Sequence, residues 1–239
     1  MSTSSEREPD GTEVPPLADV THLKTLPTSA RGQRTRAALV AAARRVFERD
    51  GYLDARLTDI TADAKCSTGS FYTYFASKEE ILQAVIETAQ DDMLHPGAGR
   101  LSAEEASPEA IIRASNRAYF EAYKRNAKLM MILEQVAGVD PKFREVRRRR
   151  SQTFAHRNAK GIAALQERGL VDAGLDPVLT SLALSGMVSR MAYYTFCLGD
   201  EVPMDDLVDI CTRLWVNALQ MSPEARDDAW PSPRCGTPQ

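Results

Sequence analysis

The sequence predicts an all-α protein, and three observations carry the prediction. Apolar residues recur at three- and four-residue spacing through most of the chain between residues 32 and 221. No alternating apolar pattern of the kind a strand requires lasts more than a few positions. Helix punctuation stands where the periodic runs begin and end: Ser, Thr and Asp N-caps, prolines at the first helical position, and a glycine after the first run.

The first helix is predicted from Gly32 to Asp50. Leu39, Ala43, Val46 and Phe47 share one face, and Gly51 stands where a C′ glycine ends a helix. Thr58 is read as the N-cap of a short second helix ending near Ala64, with Asp59 in its first turn. A third helix starts at Ser67 and carries Phe71, Tyr72, Tyr74 and Phe75. Ser77 and Glu80 form a capping box for a fourth helix, whose apolar stripe is Ile81, Leu82, Val85 and Ile86. "HPGAGRLSAEEASP", residues 95 to 108, reads as a connection. Longer helices are then expected at about 108–126, 127–137, 141–169, 176–199 and 203–221. Residues 1–30 and 223–239 are expected to be a disordered arm and a loose tail, from their Ser, Thr, Pro and charge content.

Composition narrows the function. A chain of 239 residues, 43% of them hydrophobic, is long enough for one or two domains with a real core. Its net charge of −3 means that any nucleic-acid contact must come from a local patch. Cys66, Cys197, Cys211 and Cys235 are scattered without a C-x-x-C pair, so neither a metal site nor a secreted disulfide framework is expected. No apolar run approaches the roughly 20 residues of a membrane helix, and "MSTSSEREPDGTEVPP" is too polar for a signal peptide. A cytoplasmic protein without membrane contact or cofactor is the expectation.

Two short helices joined by the turn "KCS" make a helix-turn-helix, over about residues 55–75. On the second of them, Phe71 and Phe75 are i,i+4 neighbours and are expected to face the core with Ile60 and Leu39. Thr68, Ser70, Tyr72, Thr73 and Tyr74 then turn outward, with hydroxyls suited to phosphate oxygens. Between Arg31 and Asp50 lie six arginines against Glu48 and Asp50, a local excess of positive charge beside that helix.

The run "RTRAALVAAARRVFERDGYLDARLTDITADAKCSTGSFYTYFASKEEIL" resembles the N-terminal domain of TetR-family transcriptional regulators over about residues 32 to 92. The agreement includes "GY" after the first helix, T-x-x-I on the second, S-x-G-x-F-Y-x-Y-F on the third and S-K-E-E-I-L on the fourth. The resemblance implies a DNA-binding domain over residues 31–92, with a helical effector-binding and dimerisation domain over 93–222. It implies phosphate contacts from Thr58, Tyr72, Tyr74 and Lys78, base-edge contacts near Thr68, Ser70 and Thr73, and close approach at Gly69, with Lys65 and Ser67 beside them. Helix three offers no Arg or Asn for a bidentate base contact, so specificity is expected from hydroxyls, thymine methyls, water and DNA shape. Two positions depart from the family: Lys65 replaces the usual turn glycine and Cys66 an aliphatic residue. If that turn requires φ > 0, Lys65 costs about 1 kcal/mol relative to Gly.

The resemblance also implies a ligand pocket among the middle helices and a homodimer built from the last two. Dimer candidates are Leu207, Ile210, Leu214 and Ala218 on the last helix and a small-residue stripe, Ser181, Ser185 and Ser189, on the one before. Ordinary intrachain packing is the alternative. Pocket candidates are Tyr119, Tyr123, Met130, Met131, Phe154, Tyr193 and Tyr194, with Phe196 and Trp215 beside them.

The run "REVRRRRS" is unusual. Four consecutive arginines span about 300° of a helix, so they cannot share one solvated face. With Phe143 as reference, Arg147 and Arg150 fall on the apolar stripe of Val146, Phe154 and Leu165. Each must snorkel, pair with a carboxylate such as Glu134 or Asp140, or meet an acidic ligand such as an acyl-CoA or other carboxylated lipid. The expected function is a repressor that such an effector releases from double-stranded DNA at an inverted-repeat operator. A helical enzyme is the contrasting reading, but His22, His95 and His156 are scattered and no phosphate loop is present. An adaptor that keeps the helix-turn-helix only for packing is a third.

Overall fold

The structure, a computed structural model, describes residues 27–94 and 107–225. The predicted arm up to residue 26, the connection over 95–106, and the tail from residue 226, with Cys235, lie outside the described residues; the first residues of the predicted tail, Pro223–Ala225, form a 3-10 turn with Ala225 buried. The described residues form helices and turns with no strand.

The amino-terminal unit is α1 (Ala30–Asp54), α2 (Leu57–Asp63), α3 (Thr68–Tyr74) and α4 (Lys78–Leu94). Ser29 caps α1 by accepting from the Gly32 amide. Gly51, at φ 77°, breaks the helical path inside α1, so the continuous helix ends at Asp50 as predicted. The predicted start of α2 is corrected. Arg56, in extended conformation, holds the N-cap position without a side-chain bond, and Thr58 is the second residue of the helix.

The rest is α5 (Pro108–Arg125), α6 (Ala127–Val139), α7 (Pro141–Glu167), α8 (Pro177–Tyr193) with a π-helical turn at Tyr194–Leu198, and α9 (Met204–Ala218). Ser107, Asp140 and Asp176 cap α5, α7 and α8, each followed by Pro at the first turn, where a missing N–H costs nothing. α5 and α9 pack together and are tied by Arg113–Asp209 and Arg117–Asp205 ion pairs.

One continuous apolar core runs through both parts, and α4 is the shared member. Its Ile81, Leu82, Val85 and Ile86 are buried on the amino-terminal side, and Met93 and Leu94 at its other end reach α7. Polar ties reinforce the join. Asp92 accepts from Asn126 at 2.8 Å and from Arg125 at 3.1 Å. Burial alone would push the Asp92 carboxyl up, but these two donors hold it below its ordinary value. Lys128 donates to the Glu48 carbonyl at 3.2 Å.

Candidate functional site

The helix-turn-helix is held from beneath. Phe71 and Phe75 are fully buried, their rings 5.8 Å apart, in the core that also takes Leu39 and Ile60. This matches the expectation drawn from their spacing. Ser67 caps α3, accepting from the Ser70 amide at 3.1 Å and sharing a 3.0 Å bond with the Ser70 hydroxyl. Thr68, Gly69, Tyr72 and Thr73 are exposed, and the Thr73 hydroxyl donates back to the Gly69 carbonyl. Tyr74 is half-buried against the core, so only part of it faces outward.

Lys65 has φ 52°, the left-handed turn conformation in which glycine is free of strain. Its amide donates to Ala62 and that of Cys66 to Thr61, which closes the end of α2. The half-buried Cys66 packs against the core, and burial pushes its thiol above the ordinary value. Thr58 is exposed on α2.

Lys78 is placed differently from the expectation. Its ammonium donates to the carbonyls of Tyr52, Ala55 and Leu53 at 2.8, 3.1 and 3.2 Å, and lies 4.6 Å from the centre of the Tyr52 ring. Three carbonyls use all three protons, so Lys78 caps the distal end of α1 instead of presenting a cation to a phosphate. The arginine excess of α1 is also partly neutralised: Arg44 pairs with Glu48, Arg45 with Asp63 and Arg49 with Asp50. Arg31 and Arg34 stay exposed at its start.

The second part encloses a cavity of about 790 Å³ between α5, α7, α8 and α9, within the range typical of small-molecule sites. Tyr119, Tyr123, Arg147, Arg150, Phe154 and Tyr193 line it, as does Trp215. Met130, Met131, Tyr194 and Phe196 do not. Met130 is buried in the core, and Phe196 packs on Phe120 and Tyr123. α6 contributes Glu134 alone to the lining, which is why its paired methionines miss the cavity.

The two stripe arginines part company. Arg147 is half-exposed and pairs with Glu134 at 2.7 Å. Arg150 is buried, with 7% exposure, and no carboxylate meets it among the described residues. Its Nη2 donates to the Tyr119 hydroxyl at 3.1 Å and lies 3.8 Å from the Met93 sulfur. Its guanidinium stands over the Phe154 and Tyr123 rings at 5.6 and 5.8 Å, and its Nε has no acceptor. Rings and one hydroxyl are weak compensation for a buried charge. One helical turn-pair further along α7, Arg157 lines the same cavity and donates to the Leu94 carbonyl at the end of α4 at 2.9 Å. Two arginines therefore touch both the cavity and the last turn of α4.

The serine stripe is corrected. Ser181 is fully buried and donates to the Ala155 carbonyl on α7 at 2.7 Å. Ser185 accepts from Asn158 at 3.0 Å, and Ser185 and Ser189 both line the cavity. Leu207 is buried in the core. Ile210, Leu214 and Ala218 do lie on the exposed face of α9. On α8 the outward apolar residues are Val178, Leu179 and Leu182, the last two 67% and 41% exposed. α8 is apolar on both faces, the pattern of a helix with two covered sides, and that signal was available in the sequence. Ile111, Ile112, Ile162 and Leu165 also line the cavity; nothing in the sequence separates them from ordinary core residues.

A buried Phe pair under an exposed hydroxyl face, joined through one helix to a domain with an internal cavity, is the arrangement of a ligand-responsive DNA-binding protein. The family description "Bacterial regulatory proteins, tetR family" matches residues 39–85, and "Transcriptional regulator EthR, C-terminal domain" matches residues 112–220. The chain belongs to the TetR family of transcriptional regulators. It is 24% identical over 207 residues to the HTH-type transcriptional regulator TtgR of Pseudomonas putida, covering 83% of this chain and 98% of that one. It is 26% identical over 194 residues to the HTH-type transcriptional regulator EthR of Mycolicibacterium smegmatis, covering 79% and 87%. Among solved structures, SmeT, the repressor of the Stenotrophomonas maltophilia multidrug efflux pump SmeDEF, shares the fold at TM-score 0.65 and 17% identity, covering 83% of this chain and 96% of that one. Regulators of the TetR family bind DNA operators and small-molecule effectors and act as dimers. Among the described residues no helix is long and apolar enough to cross a membrane, and no cluster of His, Cys, Asp and Glu has metal-binding geometry.

Proposed function

We propose that this TetR-family regulator is a repressor that holds an inverted-repeat operator through α3 and leaves it when a lipophilic, anionic effector enters the cavity. The observation that carries the reading is Arg150, a buried guanidinium without a carboxylate among the described residues, placed between the cavity and Met93 on α4. An anionic group in the cavity supplies what Arg150 lacks. Arg150 and Arg157 then exchange Tyr119, Met93 and the Leu94 carbonyl for a stronger acceptor, and the grip on α4 loosens.

On the DNA side, Tyr72, Tyr74, Thr58, Ser67 and Lys65 are assigned to phosphates, and Thr68, Gly69, Ser70 and Thr73 to the edge of the major groove. The residue classes support this: α3 exposes hydroxyls and a glycine over a rigid aromatic base. The exposed apolar residues of α8 and α9, with Leu179, Leu182, Ile210 and Leu214 at their centre, are assigned to the homodimer.

Selection of bound fragments from random duplex DNA tests the first half. An inverted repeat is expected, because a two-fold dimer presents two copies of α3; a single asymmetric half-site bound by a monomer opposes the reading. Titrating a fluorescent operator complex with long-chain acids and neutral esters of equal length tests the second. The acids are expected to release the operator at far lower concentration.

A further inference from the structure

We infer that the effector is a single-chain amphiphile whose head carries at least two negative charges, a phosphorylated head, seated at one end of the cavity with its chain along α7. This rests on the reading of that cavity as the effector site. Among the described residues, seven arginines line the cavity against one carboxylate, Glu134, in a chain whose net charge is −3. Five of the seven gather toward one end, while Arg157 stands midway along α7 and Arg168 at its far end. Arg144, Arg147, Arg148 and Arg150 follow one another within about 9 Å of helix rise. Arg190 of α8 belongs to the same end, since the end of α8 and the turn after it pack on α6, whose Glu134 pairs with Arg147.

The opposite end is more apolar, with Arg168, the C-cap of α7, as its one arginine among the described residues. Ile162, Leu165, Trp215 and Leu219 meet there, because the end of α9 is tied to the end of α7 by Asp172 N–H to the Leu219 carbonyl and Ser222 N–H to the Leu170 carbonyl. Arg150 and Leu165 are separated by about 22 Å of helix rise. A slot with five guanidinium groups toward one end, and a mostly apolar lining with Arg168 at the other, favours an amphiphile whose anionic head sits at the first.

The state of each arginine sets the number of charges. Arg147 has Glu134, and Arg148 has Glu145, whose carboxyl two guanidinium groups hold down to about 2. Arg150 has no carboxylate among the described residues. Among the described residues Arg144 meets the carbonyls of Ala137 and Gly138, at 3.4 and 3.5 Å, and no carboxylate. Arg190 lies over the Tyr193 and Tyr194 rings. One carboxylate would answer Arg150 and leave Arg144 and Arg190 at the rim without an anion. A phosphorylated head answers the innermost guanidinium and the rim together, and planar guanidinium donors suit phosphate oxygens. A cleft lined by one sign of charge also concentrates multiply charged ligands.

The test compares hexadecanoate, hexadecyl phosphate, hexadecanoyl-coenzyme A and coenzyme A alone, bound to the full chain at several salt concentrations. Hexadecyl phosphate or hexadecanoyl-coenzyme A is expected to bind at least about tenfold more tightly than hexadecanoate, with a steeper salt dependence. Which of the two is tighter tells a simple phosphate head from a nucleotide-bearing one. In the double variant Arg144→Gln with Arg190→Gln, both exposed positions, the advantage is expected to vanish while hexadecanoate binding is unchanged. Equal binding of hexadecanoate and hexadecyl phosphate overturns the inference, as does an advantage that survives the double variant. In either case the effector reading stands if Arg150→Met weakens hexadecanoate. If none of the four binds, or coenzyme A alone binds as well as its acyl form, the effector reading fails and this inference with it.

Discussion

The recognition helix and the effector cavity both set aromatic rings against polar groups, with opposite geometry. In α3 the rings lie beneath: Phe71 and Phe75 are fully buried and the hydroxyls of Tyr72 and Thr73 stand outside. In the cavity the rings surround: Tyr123 and Phe154 flank a guanidinium that is itself buried. The first arrangement makes a rigid convex face that can be solvated until DNA replaces water. The second leaves a charge in a poor environment until a ligand arrives. A stable support suits the reading of a fixed partner, and an unsatisfied group suits a switch, because only a ligand with different affinity for two states can shift them.

Substitutions can break this contrast, and the largest effect is expected at the base of α3. Phe71→Ala removes a fully buried ring, so a loss of about 3–5 kcal/mol is expected, read as a lower melting temperature with DNA binding lost in parallel. Arg150→Met keeps volume and removes the charge. Operator affinity should fall only a few-fold, because Arg157 keeps its bond to the Leu94 carbonyl; stability should stay level or rise, and operator release should need about 10- to 100-fold more effector, the range for a charged hydrogen bond. Unchanged release curves would make Arg150 a structural arginine. Tyr72→Phe should weaken binding to every DNA sequence alike by about 1–2 kcal/mol, since a phosphate contact carries no base information. A changed sequence preference in a binding-site selection would place Tyr72 at the bases.

Lys65→Gly sharpens the comparison at the turn. Relief of φ 52° should stabilise the protein by about 1 kcal/mol. If DNA binding weakens in the same variant, the lysine ammonium reaches a phosphate that the glycine cannot. The smallest effect concerns the joint between the two regions. Asp92 has a folded pKa below its unfolded value, so the stability it contributes is present above about pH 4 and is lost as the pH falls through the lower folded value. Asp92→Asn should therefore flatten the acid limb of a melting-temperature profile while leaving the neutral and alkaline limbs parallel to wild type.

The two regions also differ in how far the sequence alone could describe them. α3 was readable in its essentials. Phe71 and Phe75 are one helical turn apart, and the helix start was read at Ser67, which is the N-cap, one residue before the helix; the φ demand at Lys65 was implied only by the glycine usual at that turn in the family. The first two relations act within a few residues, so spacing determines them. Helix positions in the second half were readable for the same reason: Ser107-Pro108, Asp140-Pro141 and Asp176-Pro177 mark where three helices start. That Arg147 and Arg150 lie on an apolar stripe was likewise a matter of 100° per residue.

Only tertiary packing decided which stripe arginine finds a carboxylate. Glu134, thirteen residues upstream on α6, reaches Arg147 and not Arg150, and no local rule distinguishes the two. Packing also turned Ser181, Ser185 and Ser189 toward α7 and the cavity and left Leu179 and Leu182 outside, because α8 is apolar on both sides and periodicity cannot say which side meets which neighbour. Lys78 became a cap for α1 since the break at Gly51 brings three carbonyls to its ammonium. Periodicity and punctuation settled the helices and the proline-marked starts of α5, α7 and α8, but not the start of α2 or the covered face of α8. The partners of the helix faces depend on interactions between residues distant in the chain, and these exist only once the helices have packed.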